Sequence, residues 1–258
     1  MISNPTPAAL DLLPRLWVRE SLAAGAVVPA TDAQGHYLIH VMRRAHGDEV
    51  ALFNGRDGEW GATLALGSKK KVTFIVAKLR RVQDTAPDVW LIFAPLKAAR
   101  LEMLVEKATE LGVSALKPVL TQRTVVRRVN VRRLESIAME ASEQCERLSV
   151  PAVDDARPLV EILDQVASDS GARRRLFFLD EGAARTKDAP PLALALSAAQ
   201  GPAALLVGPE GGFTPEEQHH IRRLPFVSPM ILGPRLLRAE TAAIAALACW
   251  QALAGDWK

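Results

Sequence analysis

From residue 88 onwards the chain alternates short apolar runs with helical stretches, and nothing else in it constrains the fold so tightly. "DVWLIFAP" leads into "RLEMLVEKATELG", a helix that Gly112 ends as a C-cap. "VSALKPVL" leads into "RLESIAMEASEQCERL". "RLFFLD", "AALLVG" and "SPMILG" are further strands, each with a helical segment after it. Runs that stay apolar rather than alternating belong to strands buried on both faces. The pattern therefore predicts an α/β domain whose parallel sheet is covered by helices on both sides.

The earlier part reads differently. "PRLWVRE", "DEVALFNG", "EWGATLAL" and "KKVTFIVAKLRR", between residues 14 and 81, are short, partly alternating runs punctuated by glycines. One short helix, "GHYLIHVMRR", interrupts them, with Tyr37, Leu38, Val41 and Met42 expected on one face. Closing such strands into a small β-barrel removes exposed edges. "QDTAP", residues 83 to 87, reads as a linker, giving domains at 1–82 and 83–258.

Two strand ends carry unusual chemistry. In "LLVGPEGGFTPEE", residues 205 to 217, a buried strand runs into Gly208-Pro209, Gly211 and Gly212. A helix then begins with Thr214 as N-cap, Pro215 as first helical residue and Glu217 closing a capping box. Bare backbone at the carboxyl end of a strand is where open α/β sheets bind ligands, although a tight turn without a ligand has the same local chemistry. The Walker spacing and the three-glycine dinucleotide spacing are both absent. "LGPRLLRAETAAIAAL", residues 232 to 247, repeats the logic, and places Arg235, Arg238, Glu240 and Thr241 between strand and helix. A helix-start ion pair of Arg238 with Glu240 is the purely structural explanation of that cluster.

Charge bears on the partner. The net charge is only +3, but "QRTVVRRVNVRR" at 122–133 holds five arginines and no acid, and "SKKK" at 68–71 and "RRR" at 173–175 are also basic. Any one cluster is compatible with a solvated face; three together favour a polyanion. Cys145 and Cys249 form no ligand or disulfide pattern and suit buried positions in a reducing compartment. The start of the chain lacks signal-peptide features and the most apolar helix is too short to span a bilayer, so a cytoplasmic protein without membrane partners is expected.

The two glycine-proline loops together closely resemble the RsmE family, bacterial methyltransferases that modify N3 of one uridine in 16S ribosomal RNA. "EKATELGVSALKPVLTQR" (106–123), "EASEQCERLSVPAV" (140–153) and "HYLIHVMRRAHGDEVALFNG" (36–55) look like further family segments, so the likeness runs nearly end to end. It implies a C-terminal SPOUT domain threaded into a trefoil knot, a PUA-like N-terminal barrel, a homodimer and S-adenosyl-L-methionine as methyl donor. The implied cofactor-binding residues are Leu179, Val207, Gly208, Pro209, Glu210, Gly211, Gly212, Ile231, Leu232, Gly233, Leu236, Leu237, Arg238 and Thr241. Uridine N3–H is a poor nucleophile, so a cation near the uracil oxygens is needed as negative charge develops. Arg147 and Arg238 are the candidates for that role. Glu210 and Glu240 are candidates either for accepting the proton or for holding those arginines. Candidate RNA contacts are Arg15 and Arg43 in the barrel, and Arg123, Arg127 and Arg128 beyond it. A SPOUT enzyme acting on another RNA, and a non-catalytic ribosome assembly factor, are the competing readings.

Overall fold

The computed structural model describes residues 13–67, 71–169, 174–182, 189–197 and 201–257. Residues 68–70 of the first lysine cluster and Arg173 of the triple arginine lie outside them. The chain divides into two compact units, one ending at Asp84 and the other beginning at Thr85.

The first unit is a five-stranded sheet of β1 (Arg15–Trp17), β2 (Val27–Pro29), β3 (Glu49–Phe53), β4 (Glu59–Leu66) and β5 (Val72–Arg81), in the order β1-β3-β4-β5-β2. β1 runs parallel to β3, and the other pairs are antiparallel. Period-two alternation turns Val72, Phe74 and Val76 inward, against Leu16, Val28, Val50, Leu52 and Leu64. Two register shifts between β4 and β5 bend the sheet round this core. The expected closure differs in one respect: among the described residues β1 and β2 are edges that do not pair with each other.

The interrupting helix also differs. Thr31 caps α1 (Asp32–His36) in a capping box with Gln34, and a π-helical turn, Tyr37–Val41, follows directly. The wider turn breaks the expected apolar stripe. Only Leu38 is buried, while Tyr37, Val41 and Met42 face solvent.

Arg15, a candidate RNA contact, is held by groups of this unit. Its Nε donates to Glu59 at 2.7 Å and its guanidinium lies 4.6 Å from the centre of the Phe53 ring. Arg81 donates to the same buried carboxylate at 2.8 and 3.2 Å. Burial alone would raise the Glu59 carboxyl, but the Arg81 and Arg15 hydrogen bonds outweigh it and hold the group below its ordinary range. A carboxyl with a lowered folded-state pKa stabilises the fold above its unfolded value and loses that contribution as pH falls through the folded value. Glu59→Gln should therefore cost this unit about 3 kcal/mol at neutral pH, by removing the buried carboxylate that Arg15, Arg80 and Arg81 share. It should also flatten the acid limb of a plot of melting temperature against pH. A variant as stable as the parent at pH 7 would contradict this account.

The second unit is an entirely parallel sheet in the order β12-β10-β11-β6-β7-β8, with β9 pairing β7 further along. Its strands are β6 (Val89–Phe93), β7 (Ala115–Leu120), β8 (Ala152–Val153), β9 (Arg157–Pro158), β10 (Arg175–Leu179), β11 (Ala203–Val207) and β12 (Val227–Met230). Its helices are α2 (Ala98–Glu110), α3 (Val131–Gln144), α4 (Leu159–Ser168), α5 (Leu192–Ser197), α6 (Pro215–Arg222) and α7 (Ala239–Leu253). Leu91, Phe93, Leu205 and Val207 face one core with α2, α3, α5 and α7. Ile92, Phe178 and Leu206 face the other, with α4 and α6. Every residue of β11 is buried, as its unbroken apolar run predicts.

Two of the prolines in the sheet, Pro118 and Pro229, sit where no ladder donor is needed. Pro229 is in the edge strand β12, and Pro118 falls between the part of β7 that pairs β8 and the part that pairs β9. Arg174, from the triple arginine, is buried and held by Asp88 and Asp169, with its guanidinium 3.7 Å from the Trp90 ring centre. It is a structural cation. Cys145 and Cys249 are free and half-buried rather than fully enclosed. Trp250 is core and Trp257 is exposed.

Candidate functional site

The carboxyl ends of β10, β11 and β12 open into a cavity of about 470 Å³, within the range of small-molecule sites. Three segments wall it: Leu179 to Glu181 after β10, Val207 to Phe213 after β11, and Met230 to Ala239 running from β12 into α7. Of the expected cofactor residues, Leu179, Val207, Gly208, Pro209, Glu210, Gly212, Ile231, Leu232, Gly233, Leu236, Leu237 and Arg238 line it. Asp180, Glu181, Phe213, Met230, Pro234, Arg235, Ala239 and Ala242 line it as well.

Gly211 and Thr241 do not. The Gly211 carbonyl turns outward to accept a hydrogen bond from Arg123, and Thr241 is exposed on α7 while Ala239 and Ala242 face the cavity. Residues three apart share a helix face, and the two between them, Glu240 and Thr241, point elsewhere.

The glycine loop is fixed from several directions. The expected capping box is present: the Thr214 hydroxyl accepts from the Glu217 amide, and Glu217 accepts from the Thr214 amide. The second oxygen of Glu217 accepts from the Gln122 amide at 2.9 Å, tying the loop to the end of β7. Arg123 donates to the carbonyls of Gly211 (3.0 Å) and Phe213 (3.4 Å). Arg123, a candidate RNA contact, is exposed and also holds this loop. Phe213 packs edge-on to Phe178 at 5.2 Å. A Cβ on Gly208 would lie 2.5 Å from the Phe213 ring. Gly212 has φ +66°, and a Cβ there would run into the Glu181 carboxylate. Asp180, fully buried, fixes the β10 end by accepting from Arg222 at 2.6 Å.

The charged candidates separate clearly. Arg235 and Arg238 are exposed at the cavity wall and make no ion pair among the described residues. Arg238 occupies the N-cap position of α7, with extended backbone and no capping bond from its side chain. Glu210 lines the cavity and is bound by Arg100. Glu240 is buried in the first turn of α7 and does not line the cavity; its ion partner, at 3.6 Å, is Arg100 and not Arg238. The Arg238–Glu240 ion pair, the purely structural explanation of the cluster, is not formed among the described residues; Glu240 pairs with Arg100.

Arg147 is removed from the site altogether. Its guanidinium donates to the carbonyls of Thr109 (2.8 Å) and Val113 (2.9 Å), closing the carboxyl end of α2. Because α2 starts at the carboxyl edge of the sheet, Arg100 and Thr109 are separated by roughly 14 Å of helix axis. Arg147 therefore belongs to the opposite edge. Arg43 is exposed in the π-turn region with φ +54°, and Arg127 and Arg128 are exposed after β7.

The set fits a nucleoside-bearing sulfonium donor. Glycine-bared main chain at the ends of β11 and β12 can take an adenosine, apolar walls at Leu179, Val207 and Leu232 suit its ring, and the Glu181 carboxylate suits a cationic tail. Such a site, at the carboxyl edge of a parallel sheet, defines a nucleoside-binding α/β enzyme.

Comparison with known proteins narrows that class. Residues 84–251 match the model of an RNA methyltransferase domain, and residues 30–77 match that of an RNA methyltransferase PUA domain. Ribosomal RNA small subunit methyltransferase E of Rickettsia conorii is 30% identical over 91% of this chain and 93% of its own. The protein of that name from Synechocystis is 32% identical over 93% of this chain and 77% of its own. Ribosomal RNA small subunit methyltransferase E of Neisseria gonorrhoeae, solved bound to S-adenosyl methionine, superimposes with a TM-score of 0.84 at 27% identity, covering 95% of this chain and 100% of that one. The chain belongs to the RNA methyltransferase family that contains these proteins, with its α/β SPOUT fold and PUA-like N-terminal unit.

Proposed function

We propose that this chain transfers the methyl group of S-adenosyl-L-methionine to N3 of a uridine in the 16S RNA of the small ribosomal subunit. One observation carries the reading: three strand-end loops enclose a cavity whose wall presents Arg235 and Arg238 without ion partners among the described residues. The family resemblance and the relatives' names supply the substrate. When bound, the donor supplies an electrophilic methyl on a sulfonium centre. The chain's own residues hold it through the main chain of 207–212 and 231–237 and align the base for in-line attack. Arg238 stabilises negative charge on the uracil oxygens as the N3 proton leaves. Glu210, within the cavity, is the nearer of the two carboxylates to accept that proton, since Glu240 lies outside it.

The protein works as a homodimer in the cytoplasm in this reading. No helix among the described residues is long and apolar enough to cross a membrane, and exposed Leu236, Leu253 and Trp257 offer apolar surface for a second copy. Incubating the protein with methyl-labelled donor and unmodified small-subunit RNA tests the chemistry. N3-methyluridine at a single position is expected; label absent from RNA, or present on another base, would overturn the proposal.

RNA affinity should fall with salt through the exposed arginines after β7. Each phosphate contact contributes about 0.7 to the log–log salt slope for single strands. Replacing Arg127 and Arg128 by alanine should reduce that slope by roughly one to two units. An unchanged slope would make them a solvated face only.

A further inference from the structure

We infer that Arg100 is a positioning residue that clamps the two cofactor loops to each other, an inference that rests on the methyl-donor reading of the cavity. Arg100 lies in the first turn of α2, and its guanidinium engages Glu210 of the loop after β11 together with Glu240 at the start of α7. One side chain thereby joins the segments that form two of the three cavity walls, although it does not line the cavity itself.

Three observations support a role beyond holding a helix in place. The first turn of α2 contains no acidic residue, and its N-cap is Lys97, whose side chain makes no capping bond. A cation there opposes the helix dipole, so local helix stability does not account for Arg100. Glu240 is 6% exposed and its Oε2 has no hydrogen-bond partner. A buried carboxylate in that state depends on a neighbouring cation, and Arg100 is its ion partner among the described residues. Glu210, by contrast, is half-exposed on the cavity wall. The clamp therefore runs from a buried anchor to a cavity-facing carboxylate and arranges the loops before any ligand arrives. Arranging loops in advance removes an ordering cost from binding.

The test is a double-mutant cycle on the full chain, titrated calorimetrically with S-adenosylmethionine and with S-adenosylhomocysteine. Arg100→Ala and Glu210→Ala should each weaken binding about tenfold, and the double variant should be little weaker than either, because the pair acts as one unit. Arg100→Lys, which supplies a point charge, should recover part of the loss. Amide exchange at 208–213 and 231–240 should quicken in Arg100→Ala, with that at β6 and β7 unchanged. Losses that multiply, or Arg100→Ala binding like the parent, would overturn the clamp while leaving the functional reading intact. A parent chain that binds neither ligand would sink the functional reading. In that case unchanged loop exchange in Arg100→Ala would overturn the clamp separately, and faster exchange confined to both loops would uphold it.

Discussion

Arg238→Ala is expected to lower single-turnover methylation by about a hundredfold or more, as removal of other preorganised donors does. S-adenosylmethionine affinity should move by less than about tenfold. The division follows from where the side chain stands. Its backbone lies in the loop that leads into α7, so the main-chain contacts survive truncation. Its guanidinium is exposed and has no ion partner among the described residues, and the buried Glu240 is served by Arg100. Truncation thus strands no buried charge, and the melting temperature should hardly change. A hundredfold loss corresponds to about 2.7 kcal/mol of transition-state stabilisation, more than a rim charge in water supplies. If affinity, melting temperature and rate all fell in proportion, Arg238 would be a structural residue. A stable variant with near-normal turnover would transfer the role to Arg235 on the same wall.

Gly212→Val should cost S-adenosylmethionine affinity roughly a hundredfold. At φ +66° a residue with a Cβ is strained by about 1–2 kcal/mol, and branching at that carbon adds to it. The new side chain would also occupy the place of the Glu181 carboxylate, which lines the cavity from the β10 side. Two walls are disturbed by one substitution. Because Phe213 stays packed on Phe178 and the Thr214–Glu217 cap is untouched, α6 should remain folded. The far-ultraviolet circular dichroism should match the parent while calorimetric heats of donor binding vanish at ordinary concentrations. Binding within threefold of the parent would show that the glycine serves only the turn.

Much of this architecture was legible because it depends on local chemistry. Unbroken apolar runs announce strands buried on both faces, and Thr214-Pro215 with Glu217 announces a helix start whatever surrounds it. The cavity wall was readable for the same reason, since bare glycines at strand ends are a local signal. Side chains that act across the fold were not. Arg15, Arg123, Arg147 and Arg174 are arginines in basic or motif-rich segments, yet each is turned towards the protein by an acceptor distant in sequence: Glu59, the Gly211 carbonyl, the Thr109 carbonyl and Asp88. Charge density in a sequence reports composition, and cannot tell which guanidinium folds inward. Arg100 did leave a trace, because a basic first turn contradicts the helix dipole, and such local contradictions collect at functional sites. The π-turn at Tyr37–Val41 left none, since its residues satisfy ordinary helical spacing.

The central claim is that this chain methylates one uridine of the small-subunit ribosomal RNA, and mass mapping of that RNA from cells lacking the protein tests it most directly. Loss of a single methyluridine is expected, restored by the intact chain and not by Arg238→Ala. A full complement of methyluridines in the small-subunit RNA, or a methyl group missing from another RNA instead, would contradict it.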